Sequence, residues 1–142
     1  MRRIAKPGGI IAARDGDLKS QILYPPCDTY TAFIHALYAR DKTDIETGRK
    51  LISLAMEAGW ERDQIEASAS VLSTITKEDR GDFSGSMIRN LGDGESEMRR
   101  SAEDIGFGGK GIEAICEDLE RFRSAEAGWR IIICGEIICR NE

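Results

Sequence analysis

Residues 131–139 read IIICGEIIC, the most apolar stretch of the chain. Apolar residues occupy both parities, so a strand here needs cover on both faces. Such a strand belongs in the middle of a sheet rather than at its edge. Its neighbours must come from elsewhere in the sequence.

Two other segments have strand character. Pro7-Gly8-Gly9 leads into Ile10–Ala13, again apolar on both parities. In phosphate-cradling loops the glycines follow a strand and open a helix, so that N–H groups face the anion. The order is reversed here, and Gly8-Gly9 reads as the lead into a strand. Arg14-Asp15-Gly16-Asp17 is expected to end that strand with charge and turn residues. Between Gln64 and Thr76, Ile65, Ala67, Ala69, Val71, Ser73 and Ile75 alternate with Glu66, Ser68, Ser70, Leu72 and Thr74. That is the period of a strand with one face more polar than the other.

Helical periodicity fills the intervals. Tyr24-Pro25-Pro26 is extended, because each proline biases its predecessor away from helix. Asp28 or Thr29 can then cap a helix carrying Tyr30, Phe33, Ile34, Leu37 and Tyr38 to about Arg40. A second helix is expected from about Asp44 to Ala58, with Leu51, Leu54, Ala55 and Ala58 on one stripe and Gly59 ending it. Thr76-Lys77-Glu78-Asp79 resembles a capping box, with Asp for the usual Glu, and opens a helix bearing Phe83, Met87, Ile88 and Leu91. Ser96–Ile105 reads as a short charged helix. A last helix, about Gly111 to Ala125, turns Ile112, Ile115, Cys116, Leu119 and Phe122 inward. Gly128-Trp129 marks a turn before the final strand. Strands separated by helices imply an α/β layer fold with a parallel component.

The chain has 142 residues, enough for a single domain over 1–142 and too few for two ordinary ones. Its formal net charge of -5 argues against nucleic acid as a partner, because basic patches supply most of that affinity. No apolar run approaches the ~20 residues that span a bilayer, so no membrane partner is expected. Arg2, Arg3 and Lys6 precede an apolar run too short for a signal peptide, which points to the cytoplasm. Cys27, Cys116, Cys134 and Cys139 form no C-x-x-C pair, and His35 is the only histidine. Zinc-ligand spacings are therefore missing, and the cysteines are expected to be reduced and buried.

Few residues suggest chemistry. Histidine side chains titrate near neutrality as a class, so His35 is a weak candidate for a general base, though packing on a helix explains it as well. Asp15 and Asp17 would leave the C-terminal end of the first strand, where ligands bind in open α/β sheets; turn duty is the commoner use. Tyr24, Tyr30 and Tyr38 can line a pocket or a core. Gly106-Phe107-Gly108-Gly109-Lys110-Gly111 precedes a helix and carries a cation, but follows a helical segment. A flexible interhelical loop is the better reading. There is no G-x-S-x-G or H-E-x-x-H.

Three segments in order carry a resemblance. MRRIAKPGGIIAARD resembles the lead into the fifth strand of class I S-adenosylmethionine-dependent methyltransferases of the ubiquinone/menaquinone-biosynthesis type. GRKLISLAMEAGWERDQIEASASVLSTITKEDR resembles the later helix, the A-G-F/W turn and the sixth strand. AGWRIIICGEIICRNE resembles the closing seventh strand, with its G-E pair at Gly135-Glu136. The resemblance implies a partial Rossmann-like sheet of three strands, the last of them central and antiparallel, with a helical insert near the substrate pocket. It implies that the chain is the substrate-side half of a small-molecule methyltransferase, with Asp15, Tyr30, His35 and Tyr38 orienting substrate. The family's cofactor-binding motifs do not occur, so this chain alone should hold no cofactor; S-adenosylmethionine would require the missing half. The start is then either displaced inside a longer gene or that of a natural stand-alone half. A stand-alone half could be a noncatalytic binding partner or a cofactor-independent isomerase or cyclase. Either way, Ile10–Ala13 would lack a neighbour, and a homo-oligomer or a partner pairing at that strand is expected.

Overall fold

The computed structural model describes residues 5–141. Three strands and five α-helices follow in the order β1 (Ile10–Tyr24), α1 (Asp28–Arg40), α2 (Thr47–Glu57), β2 (Ile65–Thr74), α3 (Lys77–Gly92), α4 (Glu97–Asp104), α5 (Gly109–Ser124) and β3 (Trp129–Arg140). The sheet order is β1-β3-β2, so the apolar final strand is central, as its composition requires.

β3 is antiparallel to both neighbours. Along β1, Gly9 pairs with Asn141 through the backbone, Arg14 with Glu136, and Ser20 with Ile133. Along β2, Glu66 meets Arg140, Ser70 meets Glu136, and Thr74 meets Arg130. Partner numbers fall as strand numbers rise in both series, which is the antiparallel pattern. β1 and β2 therefore run parallel to each other without touching. The expected parallel component is confined to that relation.

β1 does not end at Arg14–Asp17. It continues to Tyr24, so Asp15 and Asp17 lie within the strand and not beyond its C-terminal end. Tertiary pairing overrides the turn-forming residues. Asp17 is buried and bonded by Arg49, and the Ser20 hydroxyl accepts the Ile133 N–H at 2.9 Å. Gly8 and Gly9 do lead into the strand; Gly8 takes a left-handed φ of 73°.

The described residues form two compact units, the first drawn from 5–21, 45–72 and 132–141, the second from 22–44 and 73–131. In the first, Leu51, Ala55, Trp60, Ile65, Ile137 and Cys139 make a core against which Ile11, Ala13 and Ile52 pack. α2 covers this face of the sheet. Gly59 ends the helix region with a φ of 93°. Leu54, expected inward, is 44% exposed. On β3, burial falls on Arg130, Ile132 and Cys134, then on Ile137 and Cys139. The alternation steps by one residue at Gly135-Glu136, as at a β-bulge. The opposite face is open: Ile10 is 58% and Ile138 38% exposed. β2 buries only Ile65 and Thr74, so Ala67, Ala69 and Val71 are exposed despite their alternation.

The second unit packs α3 and α1 against α5. Phe33, Ile115, Leu119 and Phe122 are fully enclosed, and edge-to-face contacts link Tyr30 to Phe83 and Phe83 to Phe122. Thr76 and Asp79 form the expected capping box on α3. α1 is capped differently from expectation. Its N-cap is Cys27, which makes no side-chain cap bond; Asp118 of α5 accepts the Thr29 and Tyr30 N–H groups at 2.8 and 3.1 Å. α5 begins at Gly109, so Gly109-Lys110-Gly111 is helical and the interhelical loop is shorter than expected. All four cysteines are free; Cys116 is half-buried and the other three are buried.

Candidate functional site

Sequence reasoning nominated Asp15, Tyr30, His35 and Tyr38. Asp15 lies in the first unit, exposed on β1, where its carboxylate accepts the Gly16 N–H at 2.8 Å. The other three share α1 in the second unit, with Tyr30 buried and His35 and Tyr38 half-buried.

Arg130, which sequence reasoning passed over, is buried in the same unit as Tyr30 and Tyr38 and interacts with both electrostatically. Its guanidinium lies 4.6 Å over the Phe83 ring, and Nη1 is 3.4 Å from the Thr74 hydroxyl. Burial pushes the Tyr30 phenol up to about 12, against the opposing pull of Arg130. Burial likewise lowers the pKa of Arg130, while Tyr30 and Tyr38 act the other way. A buried guanidinium over an aromatic ring keeps strong electrostatic reach, because little water screens it. It can orient an aromatic or oxyanionic group brought beside it. The available signal was parity: Arg130 alternates with Ile132 and Cys134, so it had to point inward.

The first unit holds two charged networks. In one, the Asp17 carboxylate takes the Arg49 guanidinium and the Lys19 N–H, while Glu46 accepts from Arg49 and Lys19 at 3.0 and 3.1 Å. The Arg49 hydrogen bond, opposed by burial, holds the Asp17 carboxyl below its usual range. A lowered folded-state pKa gives stability that is fully present above the unfolded value of about 3.9 and lost as pH falls through the folded value. Asp17→Asn should therefore flatten the acid limb of a stability profile measured by denaturant titration below about pH 5. An acid limb as steep as that of the native chain would show that Asp17 does not carry it.

The other network centres on Glu136. Ser70, Ser68 and Arg14 hydrogen-bond it and lower its pKa. Its neighbour Gly135 faces α2, so the G-E pair divides two tasks between the two sheet faces.

Among the described residues, neither glycine-rich segment lies between a strand and the helix after it, where a nucleotide cofactor is cradled. The Gly8-Gly9 backbone is paired with Asn141, and Gly108 is the N-cap of a helix that follows α4 and not a strand. Among the described residues no cluster of His, Cys, Asp and Glu is placed to hold a metal ion. No helix of the described residues is long and apolar enough to cross a membrane. No protein-family model matches the chain, and no curated protein matches it significantly.

Proposed function

We propose that the chain is the substrate-side half of a small-molecule S-adenosylmethionine-dependent methyltransferase, of the ubiquinone/menaquinone-biosynthesis type, acting in the cytoplasm. The observation that carries this reading is the sheet order. A central antiparallel strand lies between two parallel, non-adjacent strands, each followed by helices. That arrangement, with the three resembling segments in sequence order, supports a partial Rossmann-like sheet. The free thiols are in keeping with a reducing compartment.

On this reading the second unit orients a small-molecule substrate through Tyr30, Tyr38 and Arg130. Such positioning is what a bimolecular transfer most needs from a protein. The unpaired edge of β1 at Ile10–Ala13 is where the cofactor half, or a second copy of the chain, would add a strand. The alternative is a stand-alone half, either a noncatalytic partner or a cofactor-independent isomerase or cyclase.

Calorimetric titration of S-adenosylmethionine into the chain alone should give no saturable heat. The same titration after mixing with a separately expressed cofactor-binding half of such a methyltransferase should give saturable binding and labelled methyl transfer. Saturable one-to-one binding by the chain alone would overturn the half-domain reading. A mixture that neither associates nor transfers methyl would favour the stand-alone alternative.

A further inference from the structure

The sheet face opposite α2 carries a depression of about 340 Å3 in the first unit, lined by Ala12, Arg14, Ser68, Glu136 and Ile138 among others. Three strands meet there. Glu136 Oε1 accepts from Arg14 Nε at 3.0 Å and from the Ser70 hydroxyl at 2.5 Å; Oε2 accepts from Ser68 at 3.0 Å. Arg14 Nε also lies 3.1 Å from the Ser70 hydroxyl.

These bonds fix the guanidinium plane through Nε alone. Among the described residues neither Nη1 nor Nη2 of Arg14 meets an acceptor. The fork is therefore pre-oriented and unfilled, and the arginine is half exposed. A planar fork matches a carboxylate with two parallel hydrogen bonds. Glu136 already balances the arginine charge, so the site is close to neutral. Neutrality selects against polyanions, which need a net positive field. Ala12 and the exposed Ile138 line the same depression and offer apolar surface without charge.

We infer that this depression receives an amphiphilic carboxylate, its head on the Arg14 Nη pair and its apolar tail across Ala12 and Ile138. The site uses none of the residues given to substrate above, Tyr30, Tyr38 and Arg130.

The test is a nuclear magnetic resonance titration of the isotope-labelled chain with octanoate, octanol and acetate. Octanoate should shift the Arg14 Nε–H and Ile138 methyl signals saturably and together. Acetate should shift only the arginine signal, at much higher concentration, and octanol should not saturate. Arg14→Lys keeps the charge but not the fork and should weaken octanoate about tenfold or more, the worth of one charge-assisted pair. Ile138→Thr should weaken octanoate and leave acetate unchanged. Octanol that saturates as octanoate does, or octanoate binding unchanged by Arg14→Lys, would overturn the assignment. If Arg14→Lys fails to fold, the three-ligand comparison on the native chain decides alone.

Discussion

Replacing Gly135 with alanine is expected to unfold the first unit. A Cβ at this position would stand 2.0 Å from the Gly48 carbonyl oxygen and 2.8 Å from its carbon. Both atoms are backbone, so no flexible side chain can yield. Gly48 is equally confined: its own Cβ would lie 2.6 Å from the Asp15 carbonyl oxygen. The two glycines let the start of α2 rest directly on β1 and β3. Adding a methyl group would lift the helix from Ile137, Cys139 and Ile65, against which Leu51 and Ala55 pack. Overpacking with backbone displacement costs about 1–3 kcal/mol, and loss of the helix cover adds more. The sum approaches the whole stability of a small domain. Gly16→Ala is the matched control, since its Cβ would meet only Ile132 Cγ2 at an ordinary 3.5 Å. Trp60 lies in the first unit and Trp129 in the second, so variants with one tryptophan would report each unit by fluorescence. A Gly135→Ala protein with a native urea midpoint at Trp60 would refute the close-approach argument.

Asp118→Ala should have the next largest effect, in the second unit. The carboxylate is buried on α5 and caps a helix distant in sequence. Oδ2 accepts two N–H groups of the first turn of α1, and Oδ1 accepts from Arg121 at 2.7 Å. Its negative charge also faces the positive end of the α1 dipole. Truncation takes the acceptor from one buried and one half-buried N–H group and leaves Arg121 only the Pro26 carbonyl. A lost cap costs up to about 2 kcal/mol, and a hydrogen bond to a charged group about 1.5 or more. The expected loss is about 3 kcal/mol, seen at Trp129 before Trp60. Asp118→Asn keeps an acceptor oxygen without the charge and should lose about half as much. Equal losses in the two variants would mean that the charge, not the hydrogen bonding, carries the effect. No loss in either would leave α1 to be held by packing alone.

Much of the fold was legible because periodicity is a local signal. The stripe Ile112, Ile115, Leu119 and Phe122 is inward as its spacing requires, and IIICGEIIC is central as its two apolar parities require. Gly59 and the Thr76–Asp79 capping box are visible from neighbouring residues alone. The errors share one cause, which is that a distant partner decided the outcome. Arg14–Asp17 has turn composition, yet Arg49 and the Ser20–Ile133 bond keep it in the strand. Ala67, Ala69 and Val71 alternate correctly, but nothing in the first unit covers that stretch of β2.

The candidate sites divide in the same way. Tyr30 and Tyr38 could be nominated from residue type, and their place on α1 follows from helical spacing. Arg130 could not be matched to them, because it is 92 positions from Tyr38 (130 less 38) and its role rests on Phe83 and Thr74. Gly135-Glu136 looked like a family signature. Tertiary structure gives each residue a separate reason: Gly135 admits a helix backbone on one face, and Glu136 anchors Arg14 on the other.

The sequence by itself determined which segments are helix and which are strand, and which strand is central. Those outcomes depend on side-chain period and apolar content within about 15 residues. Only the tertiary structure decided where β1 ends, what caps α1, which glycines are indispensable and which arginine lies over Phe83. Each of those depends on a single atom-to-atom approach between segments far apart in the chain, and no local pattern encodes such a distance.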